Sequence, residues 1–121
     1  MYLFVGILDK EEDLEKIIAK FREIGVAGAT IFDSIGLGPD TLHGQSMPPV
    51  IASLHGIFDR EKRIYNHTIL SIIESKETLD KAFLAAQEVC GDFNRPDVGI
   101  LFSVELDRVV GYCRPDRDCS I

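Results

Sequence analysis

Apolar and polar positions along this chain change rhythm at regular intervals, and each rhythm implies a different element. Residues 2–8 form a continuous apolar run, the pattern of a buried strand. Leu14, Ile17, Ile18, Phe21 and Ile24 then recur at helical spacing, with charged residues between them, as in an amphipathic helix. Asp9 is placed to cap that helix, with Glu12 three residues on as in an Asp version of the capping box. Gly25 stands where helices end. Beta-branched residues fill the middle of the next stretch, and Gly36 and Gly38 loosen its end. It reads as a strand running into a flexible loop.

The pattern then repeats. Ile69, Leu70, Ile72 and Ile73 predict a strand over 68–74, and Ser75 is a good helix cap. Leu79, Ala82, Phe83, Ala86 and Val89 form a second helical stripe, and Gly91 ends it. Residues 99–104 read as another apolar strand, and residues 107–112 as a short additional one. The basic and acidic run around Leu14 (10–16) echoes the one around Leu79 (76–81). Two strand–helix–strand units make βαββαβ, so the expected fold is α+β: a ferredoxin-like sandwich in a single domain over 1–121. Both helices would cover one face of the sheet. The other face would carry Leu3 or Phe4, Ile69 or Leu70, and Leu101 or Phe102, depending on register. A sheet apolar on both faces needs a cover, and oligomerisation supplies one.

Between the halves, residues 35–66 are too long for a plain connection in a compact domain. Pro48 and Pro49 introduce Val50, Ile51, Leu54, Ile57 and Phe58 at roughly helical spacing, which predicts a short helix over 49–58. The charged run 59–63 reads as a solvated turn.

Composition narrows the function. At 121 residues and 45% apolar content the chain can bury a core. A net charge of −7 disfavours nucleic acid and anionic lipid as partners, since both would repel this surface. No apolar run is long enough for membrane insertion, and no basic segment precedes the first strand, so a cytoplasmic protein is expected. The odd count of three cysteines argues against a secreted disulfide framework, and no metal-binding spacing occurs among Cys and His, so no metal site is expected. His43, His55 and His67 stand singly. Asp33 has no partner visible in the sequence and reads as a polar strand residue. With no nucleophile–base pair and no carboxylate dyad, a non-enzymatic role is expected. Cys90 falls beside an apolar stripe and reads as an inert thiol. Cys113 and Cys119 are separated by a short turn-forming stretch with flanking arginines. They read either as reduced thiols in a frayed polar tail (113–121) or as a redox pair.

The stretch Gly25-Val-Ala-Gly-Ala-Thr30, followed by Gly36-Leu-Gly38, resembles the second strand of the PII signalling family, in which a G-V-x-G-x-T run leads to G-F-G and a large effector loop. The predicted order of elements resembles that family over nearly the whole chain. The resemblance implies a homotrimer with its sheets around a central axis and nucleotide in the clefts between subunits. It implies Thr30 near adenine, Gly28 among the ligand contacts, and Gly36, Leu37 and Gly38 opening an effector-type loop over 36–66. The stretch Asp97-Val-Gly-Ile-Leu-Phe102 resembles the family's B-loop, which adds Val98 and Gly99 to the ligand contacts. The B-loop lysine is replaced here by Ile100, and the family's C-terminal arginine pair falls on Gly111 and Cys113. Arg95, Arg108 and Arg114 are the nearby cations left to hold phosphate charge. The implied function is a trimeric regulatory sensor that takes a small metabolite or an adenine nucleotide and signals to a protein target. The alternative is a metal-handling trimer resembling the divalent-ion tolerance proteins.

Overall fold

A computed structural model describes residues 1–37 and 64–113. The expected helix over 49–58 and the tail beyond Cys113 lie outside the described residues. In chain order the elements are β1 (Tyr2–Leu8), α1 (Glu11–Glu23), β2 (Thr30–Gly36), β3 (Ile64–Ile73), α2 (Lys76–Cys90) and β4 (Gly99–Glu105). The strands form one four-stranded sheet in the order β2-β3-β1-β4, with every neighbouring pair antiparallel. The architecture is α+β and consistent with a small ferredoxin-like fold. Among the described residues no helix is long and apolar enough to cross a membrane.

Register assigns each residue to a face. Tyr2 pairs with Ile73, Phe4 with Ser71 and Leu8 with His67, so these residues share one side. Both helices bury their stripes there: Leu14, Ile17 and Phe21 from α1, and Leu79, Ala82, Ala85 and Ala86 from α2. Phe4 sits at the centre. Its ring meets Phe21 at 5.3 Å and Phe83 at 5.2 Å between centroids, both edge-on, the arrangement that aligns ring edge with ring face. Gly6 makes room for this, because a Cβ there would stand 3.3 Å from Leu101 and 3.4 Å from the Phe4 ring.

The opposite face is the open one. The register places Leu3, Leu70 and Phe102 on it, together with Val5, Ile7, Ile72, Ile100 and Val104. Phe32 joins them from β2, opposite Thr68. Ile100, Phe102, Val104 and Phe32 are all exposed.

Three expectations need correction. Asp9 does not cap α1. Lys10 occupies that position with no side-chain hydrogen bond, and the acidic first turn Glu11, Glu12 and Asp13 is left to complement the helix dipole. Ser75 does cap α2, accepting from the Thr78 backbone N–H at 3.2 Å. The third strand begins at Ile64, not at residue 68, so residues 35–36 and 64–66 of the expected loop belong to the β2–β3 ladder. Adjacent polar residues Asn66 and His67 hid its first residues from a reading of apolar runs. No strand forms over 107–112. After β4, Leu106 donates its backbone N–H to the Met1 carbonyl at 2.9 Å, and the chain leaves the ladder there.

Candidate functional site

The entry to β2 is where the candidate residues gather. Gly25 ends α1 with φ +86°, a left-handed conformation that suits glycine, and turns the chain toward the sheet. Val26 donates its N–H back to Phe21, closing the turn. Ser71 on β3 is buried, and its hydroxyl donates to the Gly28 carbonyl at 2.6 Å. That bond pins the strand entry to the centre of the sheet and leaves Gly28 and Thr30 exposed.

A recess of about 530 Å³ opens beside them. Gly28 and Thr30 form one wall, Leu3, Leu70 and Ile72 the floor, and Val109, Gly111, Tyr112 and Cys113 the other wall. A volume of this size is ordinary for a small-ligand site. The floor is apolar, and the polar groups at hand are hydroxyls and backbone amides. Of the three candidate cations, Arg95 and Arg108 are exposed and neither lines this recess, while Arg114 lies outside the described residues, as does Cys119. Cys113 is disulfide-bonded, whereas Cys90 is a free thiol. Burial pushes the Cys90 thiol up to about 11, with the Asp13 carboxylate adding to the effect, so it holds its proton.

Other candidates lie elsewhere. Gly36 and Leu37 are at the far end of β2 from Thr30, and Gly38 is outside the described residues. Arg95, Val98 and Gly99 approach β4, which is the opposite edge of the sheet from β2. Within one chain they do not meet Thr30. Gly99 also has a structural role of its own. Its φ is +137°, and a Cβ there would stand 2.2 Å from the Ile7 carbonyl oxygen, so any side chain would clash with β1.

Two polar groupings were not visible in the sequence. Asp33 and His67 face each other across the β2–β3 ladder, with Oδ1 and Nδ1 2.9 Å apart. On the open face Ser34 donates to Asn66 Oδ1 and shares a 2.8 Å hydrogen bond with Thr68. Ser34, Asn66 and Thr68 each look unremarkable alone. The register of a hairpin whose second strand begins at Ile64 is the signal that would have paired them.

No model of a known protein family matches the sequence, and a search of curated proteins finds no match.

Proposed function

We propose that this chain is a PII-like sensor: a cytoplasmic homotrimer that holds a small metabolite or an adenine nucleotide between subunits and reports its presence through the 36–66 segment to a protein target. The finer fold name, a ferredoxin-like βαββαβ sandwich with a long loop between its second and third strands, belongs to the same reading. One observation carries it. The candidate ligand residues divide between opposite edges of the sheet, with Gly28 and Thr30 on the β2 side and Val98 and Gly99 before or at the start of β4. A site made from both needs the β2 edge of one subunit beside the β4 edge of another.

The bare sheet face supports the same assembly. Exposed Phe32, Ile100, Phe102 and Val104 gain most by facing other copies, since fully burying such a side chain is worth roughly 1.5–3 kcal/mol. Ligand contacts that span subunits would link occupancy to the conformation of a segment beginning at Gly36, a differential interaction of the kind a switch requires. The proposed function of Cys113 is as half of a redox pair with Cys119 at the recess wall.

Sedimentation and calorimetry test this together. The expected results are a trimer at micromolar concentration and saturable binding of one member of a panel of ATP, ADP, AMP, cyclic AMP, bicarbonate and 2-oxoglutarate. A monodisperse monomer sinks the assembly. A trimer that binds none of the panel sinks the ligand class.

A further inference from the structure

We draw no further inference here: the strongest candidate, the cavity of about 380 Å³ between α2 and the edge strand β4, lined by Phe83, Phe93 and Leu101 with Gln87 and Asn94 beside them, carries nothing because both amide residues are exposed to water and nothing in the structure shows what would occupy it.

Discussion

The two faces of the sheet use similar residues to different ends. On the helix side Phe4 is fully buried and meets two aromatic rings edge-on. On the open side Phe102, two strand positions past Ile100, is 41% exposed. Apolarity alone does not distinguish them. What differs is geometric complementarity: the helix face sets alanines and a glycine against large side chains, whereas Phe102 and its open-face neighbours Ile100 and Val104 stay exposed. The helix side is a finished core around Phe4, although Ile31 and Ile35 of β2 stay exposed there, while the open side buries Val5 and leaves Phe32, Ile100, Phe102 and Val104 exposed.

Phe4→Ala should break the finished face. Leaving a cavity between two aromatic neighbours is expected to cost about 3–5 kcal/mol, read as a lower denaturant midpoint with unchanged slope. Phe102→Asp should spare the fold and attack the other face. Far-UV circular dichroism is expected to stay native while sedimentation moves from trimer to monomer. If Phe102→Asp still assembles, the open face is not the interface and the contrast between faces loses its meaning.

The helices on the finished face offer a finer comparison. Ser75→Ala removes the cap of α2 and should cost about 1 kcal/mol in denaturant melts. Lys10→Ser should do the reverse for α1, adding a cap and removing a cation from the positive helix end, for a gain of about 0.5–1 kcal/mol. Equal responses in sign would show that the local cap does not govern α1.

The smallest effect concerns Cys90, at the end of α2. Its thiol is raised from 9.0 to about 11 in the fold, so the folded state holds the proton more tightly than the unfolded chain. Stability from this group is therefore unaffected below pH 9 and declines as pH rises from about 9 to 11. At pH 8 Cys90 should alkylate far more slowly than a model thiol, and mass spectrometry after iodoacetamide checks it. Rapid labelling would mean the helix end opens easily.

Much of the scaffold was legible because its signals are local. The stripes of α1 and α2, the glycines closing both helices, the Ser75 cap and the apolar runs of β1 and β4 all follow from spacing along the chain. What stayed hidden depends on pairing across the sheet. The first residues of β3 are strand because β2 lies beside them, and Asp33 meets His67 for the same reason. Thr30 and Gly28 were picked out by resemblance to a family motif, and they do line a recess. The wall that includes Val109 and Val110 was misread as a strand, because two apolar residues in a row satisfy either role.

The β2–β3 ladder holds seven successive residue pairs, from Thr30↔Leu70 to Gly36↔Ile64. Those pairs and the burial of Ile69 hold its register. Chain-closure entropy grows only slowly with length, about 0.6 kcal/mol for each doubling. The hairpin's tip is therefore a place where evolution can lengthen, shorten or replace sequence almost freely. Recognition of a new partner can be tried there repeatedly, while the folding unit beneath inherits none of the risk.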